Sequence, residues 1–214
     1  MSALSVQGLA FTYTSGGDEL FDGLSHEFAP GKITAVTGPS GRGKSTLLYV
    51  LGLMLTPSRG EVRIQGEAVS SAPDAARSGI RAAMLGFVFQ DAALDPSRSV
   101  LDSVMEPSLY AGRTRRDSLE RARQLLDELG VGARADHRPG QISGGQAQRV
   151  AVARALMNNP AVILADEPTG NLDPSNAEGV IDILSKAAGS QQRTVVIATH
   201  DPYVIRRSDE VLSL

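Results

Sequence analysis

The 214-residue sequence contains no cysteine. That excludes disulfides, thiolate metal sites and thiol nucleophiles. No apolar run approaches the roughly 18 to 20 residues needed to cross a bilayer, so any membrane association is expected to come through another polypeptide. Met1 to Val6 lacks the basic start and apolar stretch of a secretory signal, and a cytoplasmic location is expected. Aromatic residues are scarce, five Phe and four Tyr. A broad basic field is missing too: the net charge is -3, which argues against nucleic acid as a partner. Internal repeats, low-complexity tracts and charge runs are absent. What remains is 42% hydrophobic and 21% charged residues, the mix of one large globular domain, or a core with a subdomain.

Patterning along the chain alternates between two periods. Leu4 and Val6 alternate with polar neighbours as in a half-buried strand, and Thr14 to Asp18 is turn chemistry. Lys32 to Thr37 is a β-branched run that stops at Gly38. Lys44 to Leu55 then reads as a helix, with Leu47, Leu48, Leu51 and Leu55 on one face, ended by Thr56 to Gly60. Glu61 to Gln65 and Leu85 to Gln90 read as strands. Residues 91–112 are mixed and broken by Pro96, Pro107 and Gly112. Arg115 to Leu129 is an amphipathic helix with Gly130 as its C′ residue, and Asp136 to Gly140 is a loop. Gln146 to Met157 is a further helix. The remainder alternates strand (Val162 to Ala165), helix (Pro174 to Ala187), strand (Val195 to Thr199) and a short strand (Glu210 to Leu214). This order implies an α/β domain with a mainly parallel core sheet.

The chemistry starts at Gly38-Pro39-Ser40-Gly41-Arg42-Gly43-Lys44-Ser45-Thr46, which fits G-x-x-x-x-G-K-[ST] in full. The three glycines let the backbone bend into a nest of N–H groups that converge on phosphate oxygens. The helix that follows turns its partial positive end to the same anion. Lys44 supplies a point charge for β- and γ-phosphates, Ser45 a hydroxyl for Mg²⁺, and Thr46 a hydrogen bond for the α-phosphate. Arg42 can reach the nucleotide or face solvent. Further on, the apolar run Val162 to Ala165 is closed by Asp166 and Glu167. Asp166 can hold Mg²⁺ and Glu167 can act as general base on water, two roles that phosphoryl transfer keeps apart. Ser143 fits a helix N-cap, and with Gly144, Gly145 and Gln146 presents a second anion-facing helix start.

Taken together and in this order, the loop at 38–46, Ile142-Ser143-Gly144-Gly145-Gln146 and Leu164-Ala165-Asp166-Glu167-Pro168-Thr169-Gly170-Asn171-Leu172-Asp173 resemble the ATP-binding subunit of an ABC transporter over nearly the whole chain. The resemblance implies a P-loop NTPase with a mainly parallel core sheet, an N-terminal antiparallel β portion and an inserted α-helical subdomain at about 91–145, between core segments 1–90 and 146–214. It implies ATP and Mg²⁺ as ligands. Gln90 would contact Mg²⁺ and orient water, His200 would contact the γ-phosphate, and Tyr13 would stack on adenine. Residues 143–146 would close the site of a facing subunit, in a homodimer or in a pair with a related ATPase. The expected partner is a separate membrane-spanning permease, with the chain peripheral on the inner face of the membrane. The 164–173 string looks most like the lipoprotein-release, macrolide-export and peptide-resistance branch. Asp91 to Ser97 is closer to peptide-importer ATPases. An alternative from the same branch is an ATPase that regulates a membrane protein in cell division without transport. DNA-repair ATPases share the head motifs but carry coiled coils or DNA-binding domains that this sequence lacks.

Overall fold

In a computed structural model, residues 3–14 and 17–214 are described; the turn expected at 14–18 lies partly outside them. The elements run β1 (Leu4–Phe11), β2 (Leu20–Phe28), β3 (Ile33–Thr37), α1 (Lys44–Leu51), β4 (Arg59–Ile64), β5 (Glu67–Ala68), α2 (Asp74–Met84), β6 (Leu85–Val88), α3 (Val100–Tyr110), α4 (Arg115–Glu128), α5 (Gly144–Leu156), β7 (Val162–Asp166), α6 (Pro174–Gln191), β8 (Thr194–Ala198), α7 (Pro202–Arg207) and β9 (Glu210–Ser213). Two sheets result. One is antiparallel in the order β2-β1-β4-β5, and the other has the order β6-β7-β8-β3-β9 with every pair parallel.

All five residues of β7 and all five of β8 are buried, as expected for parallel strands covered on both faces. The strand period of two divides β7 between two cores. Ile163 and Ala165 face a cluster with Val104, Leu125, Val150 and Leu184 from α3, α4, α5 and α6. Val162 and Leu164 face the other cluster, with Leu47, Leu48 and Leu51 of α1 and Leu4, Val6, Phe28 and Val62 of the antiparallel sheet. Each buried Leu contributes about 1.5–3 kcal/mol by leaving water. The carboxyl ends of β3, β6, β7 and β8 therefore lie along one edge of one sheet, the place where open α/β sheets hold ligands.

The elements depart from the pattern reading at definite points. α1 stops at Leu51 rather than reaching Leu55, because Gly52 caps it and Leu53 turns left-handed at φ 57°. Arg59 already pairs with Ala10 of β1, so the residues expected to end that helix begin a strand. α3 occupies half of the segment expected to be irregular, with Pro107 inside it. Its Ser99 cap accepts the N–H of Asp102, and Val104 and Met105 are fully buried. Pro139–Gln141 forms a single 3-10 turn in the expected loop. α6 runs on to Gln191, and β2, β5, α2 and α7 had no counterpart in the pattern.

Candidate nucleotide-binding site

Gly38, Gly41 and Gly43 have φ of 145°, 83° and 91°. Gly43 is the N-cap of α1, and a Cβ there would stand 3.0 Å from Leu20 Cδ1 and 3.1 Å from Phe21 Cε1. Its left-handed backbone thus favours glycine, and any Cβ would crowd the Leu20 and Phe21 side chains. No side chain caps α1 and its first turn has no acid, whereas Ser99, Thr114, Ser143, Asp173 and Asp201 cap α3, α4, α5, α6 and α7. The uncapped N–H groups beside Lys44 are a donor set suited to an anion. Lys44 Nζ folds back over the loop and donates to the carbonyls of Gly38 (2.8 Å) and Pro39 (3.3 Å). Arg42 and Ser40 are exposed.

Ser45 Oγ donates to Asp166 Oδ1 at 3.0 Å, joining the loop to the end of β7. Burial pushes the Asp166 carboxyl above the ordinary carboxylate range, with Glu167 adding to the rise and Ser45, Tyr49 and Lys44 opposing it. Tyr49 was not singled out from the sequence. It lies four residues after Ser45 on α1, the spacing that shares a helix face, and burial followed by the Asp166 charge raises its hydroxyl pKa. Hydroxyl, carboxylate and amide oxygens are the donors that a hard divalent cation such as Mg²⁺ takes.

Glu167 has φ 44°, a left-handed conformation that costs a non-glycine residue about 1–2 kcal/mol. Its N–H donates to the carbonyl of Ala198 at 2.9 Å, which helps to hold the turn. The carboxylate of Glu167 is gripped by two residues that follow β8. His200 Nδ1 lies 2.6 Å from Oε1, and Thr199 Oγ1 donates to Oε2 at 3.2 Å. Thr199 was missed in the sequence because a threonine at a strand end carries no signal of its own. The His200 side chain is 78% exposed and that of Glu167 only 16%, so the imidazole faces outward while the acid is held beneath it.

Tyr13 stands over the start of α1: Oη is 2.6 Å from Thr46 Oγ1, and the ring meets Phe11 edge-on at 4.9 Å while remaining 68% exposed. Gln90 lies two residues beyond β6, exposed, with Nε2 3.3 Å from where a Cβ on Gly170 would be. Around the start of α1, Tyr13 thus meets Thr46, Ser45 meets Asp166, and Lys44 folds back onto the loop. Glu167 and His200 adjoin them, and Gln90 reaches the loop after Glu167.

Ser143 and Gln146 bond each other. The Ser143 hydroxyl accepts the Gln146 N–H (3.3 Å) and the Gln146 side chain accepts the Ser143 N–H (3.0 Å). This reciprocal cap stabilises α5 by about 1 kcal/mol. Gly145 has no room for a Cβ, which would stand 2.4 Å from Asn176 Cγ. Asn176 is held by Asp173 at 2.6 Å. That bond, with those from the Asn176 N–H and Ser175, lowers the Asp173 pKa to about 2. The start of α6 thus braces the start of α5.

The sequence profile of the ABC transporter family matches residues 21–170. The chain belongs to that family. It is an ATP-binding subunit of the ABC type and an ATPase by kind. The lipoprotein-releasing system ATP-binding protein LolD of Xanthomonas oryzae pv. oryzae is 43% identical over 215 residues, covering 100% of this chain and 88% of that protein. The LolD of Granulibacter bethesdensis is 45% identical over 214 residues, covering 99% and 93%. Among solved structures, the dimeric ATP-binding cassette MJ0796 in a post-hydrolysis state bound to ADP and Pi superposes with a TM-score of 0.89 at 34% identity, covering 99% of this chain and 94% of that one. The ABC subunit with its mainly parallel core and antiparallel portion, expected from the motifs, is thereby established. No helix among the described residues is long and apolar enough to cross a membrane.

Proposed function

We propose that two copies of this chain, or one copy and a related ATPase, enclose two ATP molecules head to tail and power a membrane-spanning permease from its cytoplasmic face. The observation that carries this reading is the separation of the two acids at the end of β7. Asp166 is tied to the phosphate-loop hydroxyl of Ser45, and Glu167 to His200 and Thr199. Ser45, Asp166 and Gln90 would hold Mg²⁺, which when bound supplies charge compensation for the phosphates. Glu167 takes a proton from water as the water oxygen bonds to the γ-phosphorus, and the bond to the β-phosphate oxygen breaks to release ADP and phosphate. His200 holds the Glu167 carboxylate and faces the γ-phosphate. Lys44 faces the β- and γ-phosphates, Thr46 bonds the α-phosphate, and the loop 38–46, Pro39 and Arg42 included, lines the pyrophosphate with the free N–H groups at its helix end. Tyr13 gives up its bond to Thr46 and stacks on adenine.

Residues 143–146 serve the nucleotide of the facing subunit. The exposed Ser143 and Gly144 at the start of α5, with the Ser143 and Gln146 side chains bonded to each other's backbone N–H, support that placement, as does the dimeric state named for MJ0796. The helical segment at about 91–145 is read as the subdomain that moves when the dimer closes. Identity above 40% with LolD proteins across the whole chain supports a permease of the lipoprotein-releasing type over an importer. The deciding experiment is Glu167→Gln. The variant is expected to bind ATP, accumulate as an ATP-bound dimer in gel filtration, and lose turnover by about 10²–10⁴-fold. Turnover at the wild-type rate would sink the assignment of the base, and an ATP-loaded variant that stays monomeric would sink the two-site arrangement.

A further inference from the structure

α5 begins with the Ser143 cap, Gly144 and Gly145, and later along its length it grips the loop that follows β6. Gln148, only 2% exposed, donates Nε2–H to the carbonyl of Phe89 at 2.9 Å. Arg154 donates Nη1–H to the carbonyl of Ala93 and Nη2–H to that of Ala92, each at 2.7 Å. Those two alanines are consecutive and both left-handed, with φ of 56° and 46°. An alanine vacates that region unless something holds it. Ala92 is also buried, at 4% exposure. The guanidinium plane, two parallel N–H groups on two neighbouring carbonyls, suits the task in a way that a lysine ammonium does not. Gln90 lies inside the gripped stretch, between Phe89 and Ala92.

We propose that Arg154 is a positioning residue: by fixing the left-handed pair Ala92 and Ala93 it sets the path of residues 89–93, and so the position of Gln90. The loop and the Ser143–Gly145 end of α5 then form one mechanical unit. A displacement of α5 by a facing subunit is carried through Gln148 and Arg154 to Gln90. The proposal rests on the reading of Gln90 as a site residue given above.

The test uses the full chain with Arg154→Met and Arg154→Lys, read by hydrogen exchange over residues 89–95 and by steady-state ATPase kinetics. Arg154→Met is expected to raise exchange in that segment. It should lower kcat by about 10- to 100-fold, the scale of a small misplacement, and leave KM for ATP within about twofold because the loop at 38–46 is untouched. Arg154→Lys should fall between. Adding Ala92→Gly and Ala93→Gly to either variant should restore part of kcat, since glycine enters the left-handed region unaided. Unchanged exchange over 89–95 in Arg154→Met overturns the proposal. So does a loss of kcat that the glycines leave untouched. If Arg154→Met does not fold, Arg154→Lys with and without the two glycines decides in the same way. Gln90→Ala is measured alongside: wild-type kcat in that variant sinks the role of Gln90, and the exchange data then still decide whether Arg154 sets the loop.

Discussion

His200 Nδ1 and Glu167 Oε1 stand 2.6 Å apart, from residues separated by 33 positions in the chain. The contact has a direction. An ionised carboxylate can only accept, so in that state Nδ1 is the donor and Nε2 is left open on a side chain 78% exposed. Under the function proposed above, one histidine orients the acid and presents its second nitrogen to the γ-phosphate. His200→Ala is expected to lower kcat by about 10- to 1,000-fold with little change in ATP affinity, because the lost interaction matters to turnover more than to binding. Thr199→Val, which removes the weaker 3.2 Å bond, should cost less than about tenfold. Steady-state kinetics with a separate nucleotide-binding titration checks both. Equal losses in kcat and affinity would point to collapse of the site instead.

The proposed head-to-tail arrangement makes a prediction about mixtures. Lys44→Ala damages the phosphate loop and spares Ser143; Ser143→Arg does the reverse. Each variant alone should be inactive. Mixed in equal amounts, about half of the dimers should be hybrids with one intact site, restoring roughly a quarter of wild-type ATPase activity by counting sites in a symmetric dimer. If residues 143–146 served their own subunit's nucleotide, mixing would restore nothing.

Tyr13 bonds Thr46 through its hydroxyl and leaves its ring 68% exposed, where the proposed function places adenine. Tyr13→Ala should weaken ATP binding by about 5- to 100-fold, the range for removing one aromatic from a stacked base. Tyr13→Phe should bind ATP at least as tightly as the wild type within about twofold, since it frees Thr46 and keeps the ring. Calorimetric titration with ATP separates these outcomes, and equal losses in the two variants would assign the effect to the hydroxyl.

Asp173 caps α6 and holds Asn176 against Gly145. Its pKa, lowered to about 2 chiefly by the Asn176 bonds, lies below the value of about 3.9 in an unfolded chain. A depressed carboxylate contributes stability that is present above the unfolded value and is lost as pH falls through the folded one. Asp173→Ala should therefore melt at a lower temperature than the wild type at pH 7. The gap should narrow between about pH 4 and pH 2, as followed by circular dichroism. A gap independent of pH would mean that the ionised carboxylate is not what holds the cap.

The parts of the molecule that the sequence by itself determined are those whose physics is local. The nest at 38–46 follows from glycine spacing and from the helix start beside it. The Ser143–Gln146 cap follows from residues three apart. β7 follows from an apolar run stopped by two acids, and α4 from its period and Gly130. The tertiary structure decided what depends on residues far apart. Pro107 disguises α3, which holds because Val104 and Met105 find a core. α1 ends early at Gly52 although the leucine pattern continues to Leu55. β2, where the pattern gives no strand, passes through positive φ at Phe21 and Asp22 and still pairs with β1. At the site, the sequence could name Glu167 and His200 but not Thr199, which becomes informative only when the end of β8 lies beside the end of β7. Nor could it show Tyr49 beneath Asp166, or Arg154 on two strained alanines 61 and 62 residues away. Spacing within one turn or strand fixes direction; contacts between elements exist only once burial of both sheet faces has set the strand order.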